Sequence, residues 1–178
     1  RGPNIVTDGL VFAVDAANPS SYPGSGAIWK DQTINQNNGT LTNGPTFDSG
    51  NGGSINFDGT NDYVDLGNPT ELQFTTSFSI FLWFKSSDTS DYILISKDKT
   101  NGHLTNERSW ALWGNRYSGT NEIVFNIRNG SSGFSVTGTT DHNDGNWHHV
   151  VATFEASTAM KLYVDGNLES TNTTSIPA

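Results

Sequence analysis

Cysteine is absent and methionine occurs once, so the chain can build neither a disulfide framework nor a thiolate metal site. Basic residues are scarce as well: nine Lys and Arg face 18 Asp and Glu, a formal net charge of −9. That balance argues against nucleic acid and anionic membrane surfaces as partners. No apolar run approaches the roughly 20 residues of a bilayer-spanning helix. Helix-forming composition is missing too, because Gly, Asn, Ser and Thr supply 79 of the 178 residues and these types favour turns, caps and strand surfaces. A helical bundle is thereby excluded. There is no G-x-y period, and the 20 aromatic residues recur inside apolar segments, which excludes collagen-like and disordered chains. An all-β composition remains, of a length suited to a single domain over residues 1–178.

Apolar and β-branched residues bunch between Gly, Asn and Asp clusters. They predict strands over 9–15, 53–58, 61–66, 77–86, 92–97, 109–114, 121–128, 133–138, 147–155 and 160–165. With no helical-length amphipathic stretch between them, these segments predict an antiparallel β-sandwich of two packed sheets. Residues 18–52 hold no clear strand and read as a loop held over the sandwich. The Asn-Gly pairs at 38, 43, 51, 101 and 129 read as tight turns. Alternation in Phe78 to Lys85 sends Phe78, Ile80, Leu82 and Phe84 to the core and Ser79, Phe81, Trp83 and Lys85 outward. In Glu122 to Arg128 it sends Ile123, Phe125 and Ile127 inward and Asn126 and Arg128 outward.

Four segments in order carry a further signal: Phe57-Asp58-Gly59-Thr60-Asn61-Asp62-Tyr63-Val64, Phe78 to Lys85, Asp144-Gly145-Asn146-Trp147-His148-His149-Val150, and Lys161-Leu162-Tyr163-Val164-Asp165-Gly166. Together they resemble the laminin-G-like jelly-roll domain of the concanavalin A-like lectin/glucanase superfamily. Trp29-Lys30-Asp31 through Asn35 to Leu41 resembles that family's Asp- and Asn-rich loop. The opening Gly2 to Leu10 and Asp15 to Asn18 resemble versions appended to bacteriophage virion proteins. The resemblance implies closing strands after residue 168, whereas the sequence ends at Ser175-Ile176-Pro177-Ala178. An excised or C-terminally shortened segment, lacking its last strands, is therefore expected.

Glucan hydrolases of the superfamily carry carboxylates alternating along one strand, since acid and nucleophile must share a face. Here Glu71, Glu107, Glu122, Glu155 and Glu169 are scattered, so no catalytic residue and no enzyme are expected, and a glycoside hydrolase ranks third among the readings. His148 and His149 are neighbours on a strand, point to opposite faces, and cannot share one metal. Trp147 and His148 are expected to pack or hydrogen-bond at a strand start; His103 and His142 lie in turn-rich segments and carry no signal. The oxygens of Asp31, Asn35, Asn37 and Asn38 could surround calcium or could stabilise the loop through Asx turns. The family resemblance adds weight to Ca2+ as cofactor, with Asp62 as a further ligand. Phe81, Trp83 and Trp113, flanked by Asn126, Arg128 and His149, could form a sugar-stacking platform or lie under a covering loop. The leading reading is a non-catalytic recognition module for a glycan or another cell-surface ligand, an adhesion appendage at an extracellular or virion surface. The alternative is a structural or decoration domain contacting other virion proteins.

Overall fold

A computed structural model describes residues 7–97, 109–116, 121–129 and 132–178. The readings made for the opening through Val6, for His103 and Glu107, for the Asn-Gly pair at 101 and for the glycine of the pair at 129 lie outside these residues. The chain forms two compact units, the first ending at Gln73 and the second running from Phe74 to Ala178.

In the first unit β1 (Ile28–Trp29), β2 (Gly39–Thr42), β3 (Thr46–Asp48), β4 (Ser54–Asn56) and β5 (Tyr63–Asp65) form a sheet in the order β1-β2-β5 and a β3-β4 hairpin. Segment 18–52 thus contains three strands that period-two patterning missed, because they are two to four residues long. A glycine is needed at position 39, since a Cβ there would come 2.5 Å from Val64 on the neighbouring strand. The predicted strand at 9–15 is a correction in the other direction, for no ladder forms there. Its backbone is claimed by side chains instead: Asn35 Nδ2 donates to the Val11 carbonyl at 2.8 Å, and Ala13 N donates to Asp31 Oδ1 at 3.0 Å.

The second unit is the sandwich. One sheet takes β6 (Phe78–Lys85), β11 (Trp147–Glu155), β12 (Ala159–Val164) and β13 (Asn167–Asn172) in the order β13-β12-β11-β6. The other takes β7 (Tyr92–Lys97), β8 (Ser109–Gly114), β9 (Ile123–Asn129) and β10 (Ser132–Thr137) in the order β10-β9-β8-β7. All pairings are antiparallel. The jelly-roll expectation agrees with this all-β architecture, whose helical content among the described residues is confined to two short 3-10 turns, Gly50–Gly52 and Thr70–Leu72.

The sheets meet through one apolar cluster in which Ile80, Phe84, Val150, Ala152, Phe154, Met160 and Leu162 of the first sheet face Trp110, Leu112, Ile123, Phe125 and Ile127 of the second. Removing these side chains from water is the main stabilising term, at about 25 cal/mol for each Å² of apolar surface. The Phe78 ring meets Phe125 edge-on at 6.1 Å. The inward rows read from Phe78 to Phe84 and from Ile123 to Ile127 are therefore correct. β13, Asn-Leu-Glu-Ser-Thr-Asn, was not anticipated, because an edge strand that is mostly polar carries little period-two contrast.

Candidate functional site

The register of β6 against β11 places Trp83 opposite His149, Phe81 opposite Val151 and Lys85 opposite Trp147. β11 against β12 then sets Val151 opposite Tyr163, and Tyr163 faces Leu168 on β13. Since alternate residues share a face, one outer surface carries Phe81, Trp83, Trp147, His149, Val151, Tyr163 and Leu168. Trp83 is 65% exposed, Phe81 60%, Leu168 54% and Trp147 37%. The Trp83 and His149 rings lie 5.0 Å apart with their planes 37° inclined.

Of the residues anticipated for a stacking platform, Phe81, Trp83 and His149 are thus brought together. Trp113, Asn126 and Arg128 are not, for they belong to β8 and β9 of the other sheet. Trp113 is buried beside Ala111 and Val124, and the Arg116 guanidinium lies 4.1 Å above its ring. A single platform of all six residues is corrected to a three-residue group. Trp147, Tyr163 and Leu168 join that group unforeseen; the signal available was period-two phase, which links Trp147 to His149 and Val151 once the strand start is known.

His148, one residue on from Trp147, points the other way and is buried beside the Phe84 ring. Its Nδ1 lies 2.8 Å from Asp165 Oδ2 and its Nε2 lies 3.1 Å from Asp144 Oδ1. Asp165 and Gly166 form the β12–β13 turn with φ of 50° and 82°, the Asp-Gly pattern of a tight hairpin. That turn aims the Asp165 carboxylate at β11, where Oδ1 also accepts the His149 backbone N–H at 2.8 Å. Burial pulls the His148 pKa down, but hydrogen bonds to Asp165 and Asp144 outweigh it and raise the value. The Asn146 side chain and backbone N–H, then His148, lower Asp144 to about 2. His142 is fully buried; burial lowers its pKa, and its Nε2 has no partner among the described residues.

The proposed calcium ligands lie in the first unit. Asp31 Oδ1 accepts N–H groups of Ala13 and Thr33, each at 3.0 Å, while Oδ2 accepts the Thr33 hydroxyl at 2.7 Å and Asn37 N–H at 3.0 Å. Asn38 Oδ1 accepts Asp31 N–H at 3.0 Å, and Asn35 donates its amide to Val11. Asn37 turns its amide toward Glu71 at 3.5 Å. Four donors fill the lone-pair positions of the Asp31 carboxylate, so this arrangement does not fit a cation that needs six to eight free oxygens. Asp62 accepts Asp58 N–H through Oδ2 at 3.1 Å, and its buried Oδ1 has no hydrogen-bond partner among the described residues. Among the described residues no three His, Cys, Asp or Glu side chains converge on a possible metal position.

Residues 58–178 match the family model described as the concanavalin A-like lectin/glucanases superfamily, of laminin G type. Two solved structures are similar. An S-layer domain-containing protein from Clostridium thermocellum, residues 221–444, has a TM-score of 0.53 and 23% identity, covering 87% of this chain and 69% of that one. Domains LG4-5 of the mouse laminin alpha1 chain have a TM-score of 0.43 and 19% identity over 55% of this chain, which spans 24% of the laminin chain. No curated protein matches the sequence.

Proposed function

The chain belongs to the concanavalin A-like lectin/glucanase superfamily, and from that premise we propose that it is a non-catalytic recognition module. Its ligand is a glycan or another cell-surface group, met at an extracellular or virion surface. The observation that carries this reading is the solvent-facing pair Trp83 and Phe81, with the tilted His149 ring beside Trp83. Large aromatic faces held rigidly on strands offer apolar area to the apolar face of a sugar at little cost in side-chain entropy. Lys85 and Lys161 bracket the surface: Lys85 stands opposite Trp147, and Lys161 lies between Thr153 and Thr171. They supply hydrogen-bond donors beside the rings. Scattered glutamates argue for recognition without hydrolysis.

A glycan array probed with the native protein and with Trp83→Ala tests the proposal. Binding by the native chain that falls at least tenfold in the variant is expected. A native chain that binds no glycan on the array overturns the glycan reading, and a variant that binds equally well overturns Trp83 as the site.

A further inference from the structure

We propose that His148 is the positioning residue of the outer face, acting as a buried imidazolium that ties the start of β11 to the Asp165 turn and so holds the Trp83–His149 pair. The proposal rests on the recognition reading for its purpose, though its geometry does not.

A neutral imidazole carries one N–H and one lone pair. Here both ring nitrogens lie at hydrogen-bond distance from carboxylate oxygens, 2.8 Å to Asp165 and 3.1 Å to Asp144. With a neutral ring, one nitrogen lone pair would point at an anionic oxygen; with the imidazolium, both contacts become charge-assisted hydrogen bonds. The cation is 7% exposed and keeps two anions beside it, which is the condition for burying a charge. The groups facing it are Asp144 and neutral His142 from the loop before β11, Asp165 from the β12–β13 turn, and the Phe84 ring from β6.

The link to the outer face passes through Asp165. One carboxylate oxygen holds the His148 ring and the other holds the His149 N–H, so the residue whose ring lies against Trp83 is held by the same group that clasps the cation. Loss of the proton leaves one N–H to serve two carboxylates, so the clasp gives up one of its two charge-assisted bonds and weakens its hold on Asp165 and, through it, on His149.

The pH dependence has a definite sign. Because the folded His148 pKa is raised, the contribution of the clasp is complete below the ordinary histidine value of about 6.5 and disappears as pH rises through the folded value. On the acid side it is lost as protons reach the two carboxylates, both held below the usual range.

Long-range 15N NMR of the histidine rings, followed against pH together with the Trp83 indole signal, tests the idea without any ligand. At about pH 7 both His148 nitrogens should be protonated, and the Trp83 signal should move with the His148 midpoint. Asp165→Asn and Asp144→Asn, which keep shape and remove charge, should each lower that midpoint by about one unit, a tenfold change in the protonation equilibrium. A single-tautomer neutral His148 at pH 7 overturns the proposal, and so does a Trp83 signal indifferent to the titration. Either outcome leaves the glycan array to decide recognition separately; conversely, an unaffected Trp83→Ala array would defeat Trp83 as the binding site while the clasp stood.

Discussion

Trp83 and His149 stand directly opposite each other on β6 and β11, with ring centroids 5.0 Å apart, and Trp83 keeps 65% of its surface in water. A cross-strand pair of this kind contributes only about 0.2–1 kcal/mol. Trp83→Ala should therefore unfold within about 1 kcal/mol of the native chain while binding is lost. Thermal unfolding beside the array measures both, and a loss of about 3 to 5 kcal/mol would instead mark Trp83 as a core residue.

Phe125 is a contrasting case. It is fully buried in the cluster between the sheets and meets Phe78 edge-on. Phe125→Ala should cost about 3–5 kcal/mol, from lost transfer energy and the cavity left behind. Chemical denaturation checks the value, and a cost below about 1 kcal/mol would contradict the packing described.

Asp31 organises the first unit by accepting four internal hydrogen bonds. Asp31→Ala strands several backbone donors, each costing about 1–3 kcal/mol if left buried and unpaired. Melting should fall by a similar amount with calcium and with chelator. A calcium-dependent rise in the native melting temperature that vanishes in the variant would restore the metal reading.

His142 predicts an acid limb. Burial lowers its pKa, so its contribution to stability is present above about 6.5 and is lost as pH falls through the folded value. This sign is opposite to that of His148. His142→Leu should flatten the decline in stability between about pH 7 and about pH 5, as followed by denaturant titration. An unchanged slope would place the acid sensitivity elsewhere.

The long strands and their inward faces were legible from local chemistry. In β6 and β9 one phase is apolar throughout, Phe78 to Phe84 and Ile123 to Ile127, while the other mixes in Ser79, Lys85, Asn126 and Arg128, and β7, β8 and β11 run between the residues that the pattern marks. Trp83 could also be assigned outward, since its phase opposes Leu82 and Phe84. Short or polar strands such as β1, β3 and β13 escaped because two to six residues of mixed character carry no period. The reading of 9–15 failed because apolar alternation says nothing about which donors a backbone will meet.

What the sequence determined by itself was the all-β class, the sheet faces of the long strands and the opposite orientations of His148 and His149, all consequences of a period of two. Tertiary structure alone decided which outward residues share a surface. It put Trp83 beside His149 and Trp113 on the other sheet, because strand order and register join positions some 66 residues apart while separating others with the same phase. It also decided that Asp31 serves its own loop and that Asp144 and Asp165 meet on one imidazole. Such convergence depends on turns and pairing partners that no single segment encodes, and hydrogen bonds form only where folding brings donor and acceptor within about 3 Å.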